Sequence, residues 1–204
     1  MWTGTETEIE LILIRHGKTR SNEEHRYLGK TDEELSESGK QQIRKERKKY
    51  PPCSIIFSSP LLRCIQTAEM IYPSKDLNII EEWEEIDFGR FEGKNYKELE
   101  HDPDYIKWIK SNGSLPFPEG ESREAFTERT EQGFFHMMKI LMEKSKDKKR
   151  MKAAAVVHGG TIMTLCSLFD KGDYFNYQIK NAEGYRCILK CLEENIRLLT
   201  LERL

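Results

Sequence analysis

The chain has 204 residues, 37% hydrophobic and 33% charged, with Lys+Arg 33 against Asp+Glu 35 for a net charge of -2. That length serves one ordinary domain with a sizeable core, and the balanced charge excludes any global attraction to nucleic acid or membrane. An anion site has to be local.

Residues 1–8 are acidic and polar and do not read as a signal peptide. No apolar run approaches the roughly 20 residues of a membrane span, so the expected location is cytoplasmic. Ile9-Glu10-Leu11-Ile12-Leu13-Ile14 predicts a buried parallel strand that ends where Arg15 and His16 arrive. Those side chains then stand at a strand's carboxyl end, the edge at which open α/β sheets bind ligands. Lys18 to Leu35 reads as a polar loop, and Ser36 as the N-cap of a helix through Ile43 that stops near Pro51-Pro52. The basic run Arg44 to Lys49 suits the helix dipole and a solvated face better than a binding patch.

Cys53-Ser54-Ile55-Ile56-Phe57 predicts a second strand that delivers Ser58-Ser59-Pro60. Ser59 is the expected N-cap and Pro60 the first residue of a helix through Ile71, with Arg63 in its first turn beside a ready-made anion site. Leu77 to Ile80 is a third short strand, followed by Glu81-Glu82-Trp83-Glu84-Glu85. Acidic runs are ordinarily solvated, but Trp83, Ile86 and Phe88 predict that this one packs, with one carboxylate held inward. Residues 94–120 form an excursion over the sheet edge, with short helices around Tyr96 to Leu99 and Tyr105 to Ile109 and a Gly/Pro-rich turn after Asn112.

Glu121 to Lys144 has helical periodicity, burying Phe126, Phe134, Met137, Met138 and Leu141. Ala153 to Val157 reads as a central strand that puts His158-Gly159-Gly160 at its end, before a helix from Thr161 to Phe169. Tyr185 to Leu192 and Ile196 to Leu201, separated by Glu193-Glu194-Asn195, predict a closing hairpin at the sheet's far edge. Cys53, Cys64, Cys166, Cys187 and Cys191 are odd in number and lack paired metal-type spacing, which favours reduced, buried thiols.

Three strand ends thus supply Arg15, His16, Arg63 and His158. Such a cluster suits a dianionic phosphoryl group, since guanidinium forks match its oxygens and helix amides add partial charge. One imidazole can attack phosphorus while a second, protonated, stabilises the equatorial oxygens. A carboxyl between Glu81 and Glu92 is the candidate proton donor, its pKa raised by partial burial. The scheme calls for no metal or other cofactor, because the arginines supply the positive charge. His25, His101 and His136 lack companions and read as surface or core residues.

Arg15-His16-Gly17, Ser59-x-x-x-Arg63-x-x-x-Thr67-Ala68, Glu85-x-Asp87-Phe88-Gly89-x-Phe91-Glu92-Gly93 and Val157-His158-Gly159-Gly160 together resemble the histidine phosphatase superfamily, also called phosphoglycerate mutase-like. The resemblance runs in order from about Ile9 to Cys191. It implies a three-layer α/β/α sandwich with a mostly parallel central sheet, as one domain, and a phosphohistidine intermediate at His16. By motif register Arg15, Arg63 and His158 would bind phosphoryl oxygens, with Gly159 beside them, and Glu85 would be the acid-base group. Only register separates Glu85 from Glu82 and Glu84. Asn22 and the backbone at Gly29 match positions that line the phosphate pocket.

Within the family, Glu85 to Gly89 and Pro118-Glu119-Gly120-Glu121, followed by Phe126 and Arg129, look most like the α-ribazole phosphatase branch. Leu28, Glu34 and Ile43 depart from the mutase pattern, and residues 94–120 lack the paired arginines that mutases use on a substrate carboxylate. The expectation is a phosphomonoesterase acting on a small phosphorylated metabolite such as α-ribazole 5′-phosphate. A mutase and a non-catalytic phospho-ligand sensor are the alternatives. Trp83, Tyr96, Tyr105, Trp108 and Phe117 read as packing before they read as a stacking surface, and an exposed sheet edge would permit a homodimer.

Overall fold

Alternation along the first strand divides the core into two faces. The computed structural model describes residues 6–73, 75–145, 148–192 and 195–204. In it β1 (Thr7–Arg15) sends Ile9, Leu11 and Leu13 into one apolar cluster and Ile12 and Ile14 into another. After β1 come α1 (Arg20–Glu23), α2 (Glu37–Glu46), β2 (Ile55–Ser58), α3 (Leu62–Ile71) and β3 (Leu77–Ile79). The excursion carries α4 (Tyr96–Leu99) and α5 (Pro103–Lys110). Then follow α6 (Arg123–Ser145), β4 (Arg150–Val157), α7 (Gly159–Asp170), β5 (Gly184–Leu192) and β6 (Asn195–Arg203).

The strands form one sheet in the order β3-β2-β4-β1-β5-β6. The first four are mutually parallel, and β5 and β6 close the sheet as an antiparallel hairpin. β4 alternates as β1 does, with Ala153, Ala155 and Val157 on one face and Ala154 and Val156 on the other. Burial on both faces makes such central strands continuous apolar runs, and the alanines leave room for helices on either side. Phe134, Met137, Met138 and Leu141 of α6 and Ile162, Leu165 and Cys166 of α7 cover one face. Ile43 of α2 and Cys64, Ala68 and Ile71 of α3 cover the other, completing the three-layer α/β/α sandwich.

The excursion builds a small core of its own. Ile86, Phe91, Leu99, Tyr105, Phe117 and Phe126 pack together, with Tyr27, Phe88 and Trp108 against them. Trp83 belongs to the main core, and Tyr96 is 54% exposed.

One expected helix start is corrected. α3 begins at Leu62, not Pro60, and its N-cap residue Leu61 makes no side-chain cap. Ser59 Oγ shares a 2.7 Å bond with His158 and accepts only a long one, 3.4 Å, from the Leu61 amide, while Asp32 Oδ1 accepts the Leu62 N–H at 2.7 Å. Ser36 does cap α2, accepting from the Gly39 amide. All five cysteines are free and buried. Glu193 and Glu194 of the expected hairpin turn lie outside the described residues, and among those described no helix is long and apolar enough to cross a membrane.

Candidate active site

Sheet register brings the two histidines together. Arg15 lies opposite Val157 across the parallel β1·β4 pair, so the next residues, His16 and His158, leave adjacent strand ends side by side. Their rings stand 5.2 Å apart at an interplanar angle of 64°. On the other side of β4, Ser58 pairs with Val156, which sets Ser59 next to His158. Ser59 Oγ and His158 Nε2 share a hydrogen bond of 2.7 Å.

His16 is only 3% exposed. Its Nδ1 lies 2.7 Å from the Gly17 carbonyl, which can only accept, so Nδ1 carries the proton and Nε2 is the basic nitrogen. Burial, then Arg63, then Arg15 hold the His16 pKa well below the ordinary imidazole value. His158, fully buried, is lowered likewise by burial first and Arg63 next. Both rings therefore favour the neutral form, and a bound dianion would draw a proton onto one of them.

The arginines are fixed by backbone carbonyls. Arg15 Nη1 donates to Ile179 O at 2.7 Å, and Gly159 lies close against the guanidinium, where a Cβ would be 3.4 Å from Cζ. Arg63 donates from Nη1 to Thr31 O at 2.9 Å and from Nη2 to Gly29 O at 2.7 Å. Each retains a buried Nε–H with no partner among the described residues, a charged donor left for a ligand or a water. Gly29 serves the site through its carbonyl on Arg63, because its own N–H is taken by the Glu92 carboxylate. Asn22 has its Oδ1 occupied by Thr19 N and Asn181 Nδ2, which leaves its Nδ2–H as the group to offer.

Of the three candidate carboxylates, Glu85 alone lines the cavity that Arg15 and His16 open into. It is 8% exposed, accepting from Ile86 N at 3.0 Å and Gly160 N at 3.4 Å. Burial raises its pKa, against opposing pulls from the Ile86 amide and from Arg63 and Arg15. A Cβ at Gly160 would be 2.5 Å from Glu85 Oε1, so any larger residue there would have to push the carboxylate out of its present place. Glu82 instead meets the exposed His136, while His25 and His101 are exposed and apart from the site.

Arg129 and Asn181 complete the support without having been singled out as site residues. Arg129 donates from Nη1 to the carbonyls of Glu82 and Glu84, at 2.8 and 3.0 Å, and its other nitrogens grip Glu121. Glu121 in turn accepts from Asp87 N and donates its own N–H to Asp87 O. The backbone is thus tied on both sides of Glu85. Asn181 Nδ2 donates to the carbonyls of His16 and Gly17 as well as to Asn22. Arg129 was visible only as part of a motif, and a lone loop asparagine carries no sequence signal.

The cavity, of about 310 Å³, continues outward past Leu28 and Phe88 to Trp108, Phe117 and Tyr174. It is at the lower end of the roughly 300–1,000 Å³ of small-molecule pockets.

The family model of the Histidine phosphatase superfamily (branch 1) matches residues 11–202. Phosphoserine phosphatase 1 of Hydrogenobacter thermophilus is 34% identical over 120 residues, 56% of this chain and 57% of that protein. The structure of a mutant phosphoserine phosphatase from Entamoeba histolytica in complex with phosphoserine is 28% identical with a TM-score of 0.73, covering 95% of this chain and 96% of that one. A putative alpha-ribazole-5′-P phosphatase from Escherichia coli superposes with a TM-score of 0.77 over 95% of this chain and 96% of that one, but at 20% identity it shares the fold alone. With the family match spanning nearly the whole sheet and both histidine-bearing strand ends, the chain belongs to the histidine phosphatase superfamily, branch 1.

Proposed function

We propose that the protein is a metal-independent phosphomonoesterase that works through a phosphohistidine at His16 on a small phosphorylated metabolite. What supports this above all is the state of His16: neutral, held by Gly17 through Nδ1, and flanked by His158 and two buried arginines with unpartnered Nε–H groups. Nε2 attacks phosphorus, the P–O ester bond breaks, and the leaving oxygen takes the proton of the Glu85 carboxyl. Glu85, now a carboxylate, takes a proton from water as that water attacks phosphorus. The P–N bond then breaks, freeing inorganic phosphate and restoring neutral His16. Arg15, Arg63 and His158 hold the three equatorial oxygens throughout, with Asn22 and Gly159 at the rim.

Substrate candidates are phosphoserine, on the likeness to proteins named for it, and α-ribazole 5′-phosphate, for which support is confined to fold. A phosphomonoester panel assayed in excess chelator separates them, and activity is expected to survive the chelator. His16→Ala is expected to abolish turnover, and acid-quenched labelling to place phosphate on His16 and nowhere else. Substantial hydrolysis by purified His16→Ala would sink the reading.

A further inference from the structure

Three arginines line the cavity: Arg15, Arg26 and Arg123. Arg15 belongs to the phosphoryl pocket. Arg26 is consumed by Glu24 and Glu98, at 2.7 Å each. Arg123, the first residue of α6, has no carboxylate or carbonyl partner among the described residues and lies over the Tyr174 ring, 5.6 Å from its centroid. Among the described residues of the lining, Glu85 is the one carboxylate, and Arg123 shares the cavity with it. If Glu85 protonates the departing oxygen, the leaving group occupies the cavity that Arg123 also lines.

The walls there are flat and apolar, from Phe88, Trp108, Phe117, Tyr174 and Phe175. Trp108 also keeps a buried Nε1–H with no partner among the described residues. A half-buried guanidinium without a counter-ion, in a wall of rings, is matched by a ligand that brings one negative charge on a flat body. A single guanidinium fork fits a carboxylate; a second phosphate would ask for the paired cations seen around His16.

Resting on the phosphomonoesterase reading, we propose that Arg123 and its aromatic surround form a second subsite, which selects phosphomonoesters whose leaving group is a ring bearing one carboxylate. This goes beyond a small aliphatic amino-acid or sugar-acid phosphate, which carries the charge without the ring.

The test compares para-carboxyphenyl phosphate with phenyl phosphate as a ratio of kcat/KM within each preparation, so that the fraction of active protein cancels. The carboxylate also makes the phenol a better leaving group, but that effect is common to all variants. The ratio is expected to fall about tenfold or more in Arg123→Ala, the scale of a charged hydrogen bond. It should be partly kept in Arg123→Lys and fully kept in Arg90→Ala, whose arginine is bound to Asp102 and Asp104 away from the cavity. Equal ratios in wild type and Arg123→Ala would overturn the subsite.

Calorimetric titration separates this failure from failure of the reaction itself. If wild type hydrolyses neither ester, the phosphomonoesterase reading falls, and binding of para-hydroxybenzoate still tests the subsite. Binding that is lost in Arg123→Ala supports it, and no binding overturns it. Serine binding as tightly as para-hydroxybenzoate would overturn the ring requirement.

Discussion

Glu85 and His16 are tuned in opposite senses by one environment. Burial disfavours the charged form of each, raising the pKa of the carboxyl and lowering that of the imidazole, so one pocket shifts the proposed acid and the proposed nucleophile both toward their neutral forms. The pH dependence follows from that sign. As pH rises through the raised pKa of Glu85 the donor is lost, so kcat/KM for alkyl phosphates is expected to fall on the alkaline side. With para-nitrophenyl phosphate, whose leaving group needs no proton, that limb should flatten, and in Glu85→Gln the alkyl substrates should lose about 10²–10⁴-fold while the nitrophenyl ester loses far less. A steady-state pH series on both substrates checks this, and parallel profiles would contradict it. Both histidines were legible because each follows an apolar run that stops abruptly. The Ser59 bond to His158 was not, since it depends on which strand lies beside β4.

At the scale of elements, the segment from Glu82 to Asp87 has little regular structure, beyond a short helical turn at Glu81–Trp83, to hold Glu85 in place. The Arg129–Glu121 pair, 2.8 Å between Nη2 and Oε2, does that work by binding backbone on both flanks. Arg129→Gln leaves two carbonyls and a carboxylate without their charged donor. We expect a stability loss of about 1–3 kcal/mol by denaturant unfolding. A larger drop in kcat on alkyl than on nitrophenyl phosphate should accompany it, because the misplaced group is the proposed proton donor. An equal loss on both substrates would mean that Arg129 only supports the fold. The central strands and the hairpin were readable from their apolar patterns, as were α6 and α7. The start of α3 was misread because its capping oxygen comes from Asp32, 30 residues earlier, and local spacing cannot reveal such a partner.

For the molecule as a whole, the fold gathers Arg15, Arg63, His16 and His158, with Glu85 the one acidic group among the described residues of the cavity lining. Holding the buried guanidiniums of Arg15 and Arg63 within reach of each other's charge costs stability, and an anion bound between them offsets that cost. Inorganic phosphate or vanadate at a hundredfold excess over its Kd should add about 2.7 kcal/mol, raising Tm by roughly 5–10 °C for a domain of this size. Thermal melts of wild type against Arg63→Met check the assignment, since the variant should lose most of the rise.

The carbonyl-anchored guanidinium of Arg63 has a further consequence. Gripped by Gly29 and Thr31, it has little freedom to swing aside once the ester bond is cut, and the freed tetrahedral ion keeps the oxygens it was held by. On the proposed reaction, so firm a grip predicts inhibition by the released phosphate, read as a steady rate that falls when inorganic phosphate is added.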